Sequence, residues 1–133
     1  MSSFAGAASK SWGRVTSQYK GNVVVEGWGT HFNDRSLNAA NTMTIKDRRD
    51  DGNNVYGKTT FYFWRPNAQG QVTWVQSGVQ STGEWKNATR TVTVKVPLHP
   101  EGSQSRAESQ ACAQMGWPVP DSCSTGALTT WGY

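Results

Sequence analysis

The chain has 133 residues, the length of one domain, with 35% apolar residues and a net charge of +4 from 13 Lys and Arg against 9 Asp and Glu. No apolar run approaches the roughly 20 residues of a membrane-spanning helix, which excludes that class. The cations Arg14, Lys20, Arg35, Lys58, Arg65, Lys86 and Lys95 fall singly, and the one cluster, Lys46–Asp51, carries its own aspartates. The gathered basic face of a nucleic-acid binder is therefore not expected.

Residues 1–11, MSSFAGAASKS, are rich in small side chains and hold one aromatic, Phe4. They read as a flexible arm that orders only against a partner, with Phe4 as its anchor, and residues 12–133 as a single β domain. The arm has no basic segment followed by an apolar stretch, so it is read as the start of an already processed, exported chain. Next, WGRVTSQY and NVVVEGW are expected to pair around Lys20-Gly21-Asn22. His31 follows, close in sequence to Glu26 and Asp34. A His–carboxylate pair is one reading of that group, and a surface or turn histidine is the plainer one.

In NTMTIKD, Met43 and Ile45 point inward by period-two alternation. The polar run DRRDDGNNV carries Asp51-Gly52 turn chemistry, and Met43–Trp64 is expected to form a hairpin around it. The stretch FYFW places Phe61 and Phe63 on one face of a strand and Tyr62 and Trp64 on the other. NAQGQ turns the chain into VTWVQS, which brings Trp74 beside them. WKNAT turns it again, and its triplet Asn87–Thr89 is an N-glycosylation acceptor. Thr89–Leu98 alternates strictly, with Val92, Val94, Val96 and Leu98 inward. Glu101–Gln114 reads either as a short helical turn or as an extended edge, and the last strand as Ala127–Tyr133.

Few leucines, many β-branched and aromatic residues, and turn signals every 8–12 residues indicate an all-β fold. An antiparallel β-sandwich of seven to eight short strands, Ig-like or Greek-key, is expected, with a small β-barrel as the alternative.

Cys112 and Cys123 are the only cysteines. Ten residues separate them, too many for a redox Cys-x-x-Cys pair. Zinc would need four ligands, and His31 and His99 lack paired spacing. A disulfide remains, pinning a loop that Pro118 and Pro120 keep out of any central strand. Closing the ring removes roughly 3 kcal/mol of unfolded-chain entropy in the chain-entropy model. Disulfides persist in oxidising compartments, so the protein is expected to be secreted.

Nothing in the sequence calls for a cofactor or a metal: DDGNN lacks the ligand spacing of a calcium loop. No Gly-x-Ser-x-Gly is present and the acids are scattered, so a non-enzymatic role is expected. The second aromatic face, Tyr62 and Trp64 with Trp74, needs a loop, a protein partner or a sugar to cover it.

The C-terminal 23 residues, ACAQMGWPVPDSCSTGALTTWGY, resemble the ends of small secreted proteins of filamentous actinobacteria. In those proteins a cysteine pair brackets a Trp/Pro loop and an aromatic residue closes the chain. The resemblance implies an exported β-sandwich-like protein and extends to the adaptor subunits of umbrella toxin particles, which join larger subunits partly through an N-terminal arm. The expected function is thus protein–protein interaction as an adaptor, inhibitor or assembly subunit, with a carbohydrate-binding module as the alternative.

Overall fold

A computed structural model describes residues 9–133. They form nine strands: β1 (Ser9–Tyr19), β2 (Asn22–Asp34), β3 (Asn38–Asp47), β4 (Val55–Pro66), β5 (Val72–Ser81), β6 (Thr89–Pro97), β7 (Gln104–Ala113), β8 (Ser122–Cys123) and β9 (Ala127–Gly132). Sheet A has the order β1-β2-β3-β6. Sheet B has the order β5-β4-β7, with β8 and β9 sharing the far edge of β7. All pairings are antiparallel. The sheets are open and face each other as a sandwich, so the barrel alternative is set aside.

The β1–β2 hairpin turns through Lys20 and Gly21, both at positive φ. The Met43–Trp64 hairpin does not form. β3 belongs to sheet A and β4 to sheet B, and the polar run between them carries the chain across the sandwich. Asp-Gly turn chemistry is local, whereas strand partners are chosen by burial. β3 gains β2 and β6 as neighbours, and β4 gains β5 and β7. The chain crosses back from β5 to β6 and over again from β6 to β7, and this last crossing interlocks with the first.

The ambiguous segment Glu101–Gln114 becomes β7, a central strand of sheet B. Its inward residues Ser105, Ala107, Ser109 and Ala111 are fully buried. They are small because β7 lies beneath larger side chains of the facing sheet: the Ala111 methyl lies where Gly27 of β2 leaves room for it. β1 begins at Ser9. Ser9, Lys10 and Ser11, assigned to the arm from sequence, pair with Phe32, His31 and Thr30. Phe4 lies outside the described residues.

The core between the sheets is built from Val24, Val25, Met43, Ile45, Phe61, Phe63, Val94 and Val96, flanked by Trp12, Trp85 and Trp131. A polar seam runs through it. Asn41 Nδ2 donates to Thr59 Oγ1 and Ser109 Oγ, both at 2.8 Å, and Trp12 Nε1 donates to Asn41 Oδ1 at 2.8 Å. These bonds tie β1 and β3 of one sheet to β4 and β7 of the other and leave Asn41 satisfied, the condition for burying an amide at tolerable cost.

Cys112 and Cys123 are bonded and sit opposite each other in the β7–β8 pair. The large apolar side chains of the core lie in other strands. Reduction is therefore expected to raise amide exchange across residues 113–122 while the sheets stay folded, lowering global stability by no more than the roughly 3 kcal/mol of ring closure. Hydrogen exchange before and after reduction checks this, and global unfolding under mild reductant would contradict it.

Candidate functional site

The register of sheet B places three rows of side chains on its outer face. Trp74, Trp64 and Gln104 form one row. Gln76, Tyr62, Arg106 and Thr130 form the next, and Val79, Thr60, Glu108 and Leu128 the third. Alternation along β4 makes this unavoidable. Phe61 and Phe63 take the core, so Tyr62 and Trp64 must face out.

Tyr62, Trp64 and Trp74, the residues selected from sequence, thus share one surface. All three are half-buried, and none packs against the core cluster. Trp64 and Trp74 meet edge to face at 5.3 Å between ring centroids. The Arg106 guanidinium lies 4.1 Å from the centroid of the Trp74 ring, and its Nε is buried without a hydrogen-bond partner. Burial, and after it the neighbouring Glu108 carboxylate, push the Tyr62 hydroxyl up, so it stays protonated. Val79 and Leu128, at 50% and 59% exposure, extend the apolar patch toward both edges.

His31 is not at a strand end and not on the surface. It lies within β2 and is fully buried, with Nδ1 3.1 Å from Thr129 Oγ1 and Nε2 3.0 Å from Ser105 Oγ. Burial pushes its pKa down to about 4, opposed in part by hydrogen bonding at Thr129, so the ring is neutral at physiological pH. Neither carboxylate of the expected group reaches it. Glu26 pairs instead with Arg14 at 2.6 Å and Arg48 at 3.3 Å, and the Arg14 hydrogen bond holds its carboxyl below the usual range against the opposing effect of burial. Asp34 pairs with Arg35 and Lys95. Among the described residues no three His, Cys, Asp or Glu side chains cluster as a metal site would need.

One end of the sandwich carries a feature absent from the sequence-based selection. Residues 113–122 of the disulfide ring lie against the β3–β4 crossing, and a cleft of about 420 Å³ separates them. Asn53, Asn54, Gln114, Trp117, Val119 and Asp121 contribute to its walls. Trp117 is 96% exposed, the most exposed large apolar side chain among the described residues.

The loop beneath it is held at several points. Gln114 N donates to Asn54 O at 2.8 Å, Val119 N donates to Gly116 O at 2.8 Å, and Gln114 Nε2 donates to Glu84 at 2.6 Å. The Tyr56 hydroxyl donates to Asp121, and burial followed by that bond pushes its pKa up to about 12. A sequence signal for Trp117 did exist. A tryptophan followed by Pro118 and Pro120 inside a closed ring has no ladder to carry it into the core.

No family model, curated protein or solved structure matches the chain.

Proposed function

We propose that this is a secreted, non-enzymatic protein that binds another protein on the outer face of sheet B, as an adaptor or assembly subunit. The Trp64–Trp74 pair with Arg106 laid over Trp74 carries the reading. Trp, Tyr and Arg are the side chains that dominate protein interfaces when a partner excludes water from them. Here they occupy two neighbouring rows of the face, with Val79 and Leu128 in the row beyond. The Arg106 guanidinium over Trp74 adds a charged group to the face, and the adjoining edge of β5 offers backbone groups for strand addition. The disulfide and the lack of any long apolar helix among the described residues are compatible with an extracellular setting and support secretion.

Trp64→Ala separates interface from framework. Lying outside the core, Trp64 is expected to contribute about 1 kcal/mol to stability, against the 3–5 kcal/mol typical of a core tryptophan. Its loss should weaken partner binding by about 2 kcal/mol or more. Denaturant unfolding measures the first quantity. For the second, a photo-crosslinker at the exposed Gln76 is expected to capture one secreted protein, and Trp64→Ala to abolish that capture. Capture unaffected by Trp64→Ala removes the outer face from the function, and specific Trp64-dependent glycan binding replaces the protein partner with a sugar.

A further inference from the structure

We propose that the cleft between the disulfide ring and the β3–β4 crossing is a saccharide site. It takes a neutral pyranose stacked on Trp117, with its hydroxyls held by Asp121 and the Asn53 and Asn54 amides. This site is separate from the outer face of sheet B and stands or falls independently of it.

The argument starts from Trp117. At 96% exposure its indole is fully hydrated, a state that apolar side chains of this size avoid unless something covers them. The covering group must be small, because the cleft beside it measures about 420 Å³. That lies near the lower end of the roughly 300–1,000 Å³ of small-molecule sites and suits one or two sugar rings.

The polar walls specify the chemistry. A pyranose presents an apolar C–H face to an aromatic ring and a rim of paired donor-acceptor hydroxyls. A carboxylate accepts from two hydroxyls at once, and a carboxamide donates to one and accepts from another. Asp121 supplies the carboxylate. Asn53 and Asn54 make their hydrogen bonds through the backbone, the first from its N–H to Asp51 and the second from its carbonyl to Gln114 N–H. Their side-chain amides are left for a ligand.

Charge narrows the class further. Asp121 lines the cleft, while Asp51 and Glu84 bond directly to lining residues, so the site repels uronic and sialic acids and favours neutral rings. The site is also preorganised. The ring closure, the Tyr56–Asp121 bond and the Gln114–Asn54 backbone bond fix both walls before any ligand arrives, which spares the ordering cost of binding.

The test uses the intact, oxidised protein and a panel of neutral hexoses, N-acetylhexosamines and their β-linked dimers. Binding is followed by the indole N–H resonance of Trp117, assigned by its disappearance in Trp117→Ala. One panel member is expected to shift that resonance saturably with a dissociation constant of about 1 mM, as suits a ligand of a dozen heavy atoms. Asp121→Asn keeps an acceptor for Tyr56 and loses the charge. It is expected to weaken binding at least fivefold with an unchanged melting temperature.

Glucuronate is expected not to bind. The proposal is overturned if no neutral sugar shifts the Trp117 resonance up to roughly 50 mM, if the shift persists undiminished in Asp121→Asn, or if glucuronate binds as well as its neutral counterpart. Movement of the Trp117 signal on addition of zwitterionic lipid vesicles but no sugar would equally overturn it, in favour of a membrane contact.

Discussion

Gly29→Ala is expected to cost about 4 kcal/mol or more and to leave little folded protein, given that natural domains hold only about 5–15 kcal/mol in reserve. Gly29 sits in β2 opposite Met43 of β3 and Gly13 of β1. A methyl group there would overlap the Thr42 carbonyl oxygen of the neighbouring strand and approach Cζ2 of Trp12 to 2.8 Å. The oxygen belongs to backbone and cannot swing aside without opening the β2–β3 ladder. The indole cannot retreat without breaking its bond to Asn41. Gly78→Ala is the control: its methyl would meet only Val96 Cγ1, at an ordinary 3.9 Å, and is expected to change stability by less than about 1 kcal/mol. Denaturant unfolding of the two variants checks both expectations. Equal stabilities would refute the tight β2–β3 approach.

Acid should destabilise the fold first through His31. The His31 pKa falls from an ordinary 6.5 to about 4 in the folded chain. Above pH 6.5 the ring is neutral in both states and full stability is present. As pH falls below 6.5 the unfolded chain takes up a proton that the folded chain refuses, and stability drains until about pH 4. Such a difference is worth about 3–4 kcal/mol.

Glu26 acts in a different window. Its pKa lies below its ordinary 4.5, so its ion pairs contribute fully above that pH and are lost only as pH falls further. Urea unfolding between pH 7 and pH 4 is expected to show the histidine-linked slope in the native sequence and a flattened one in His31→Gln. Parallel slopes in the two would refute the assignment to His31.

Much of the architecture was legible because side-chain period and burial agree. Val94 and Val96 in β6, and Met43 and Ile45 in β3, alternate and are buried as the pattern requires. β7 was not legible, because its inward residues are Ser and Ala and produce no apolar period. The β3–β4 connection was misread because turn chemistry reports the bend and not the sheet that the next strand enters. His31 was unreadable for a related reason: its partners Ser105 and Thr129 lie 74 and 98 residues away. The outer aromatic face could be read from FYFW because alternation alone forces Tyr62 and Trp64 outward. Asn53, Asn54 and Asp121 meet Trp117 only through the crossing and the ring, and no local pattern announces that meeting.

The interlocked crossings shape how the chain reaches this state. β1–β2–β3, β4–β5 and β7–β8–β9 can each assemble from contiguous residues. The first two fragments end on unfilled edges, β3 and β4, until β6 and β7 arrive. Those two edges belong to strands carrying Met43, Ile45, Phe61 and Phe63, among the most apolar in the chain. A half-made molecule therefore displays unpaired backbone beside hydrophobic side chains, the combination that seeds strand-to-strand aggregation. Completion is late and non-local, because β4 receives its partner only after residue 104 and β7 is flanked on its far side only once residues 122–132 have joined. Such an order makes folding slow for a domain of this size, and a chaperone or a binding partner that shields β3 and β4 in the interval is expected to raise its yield.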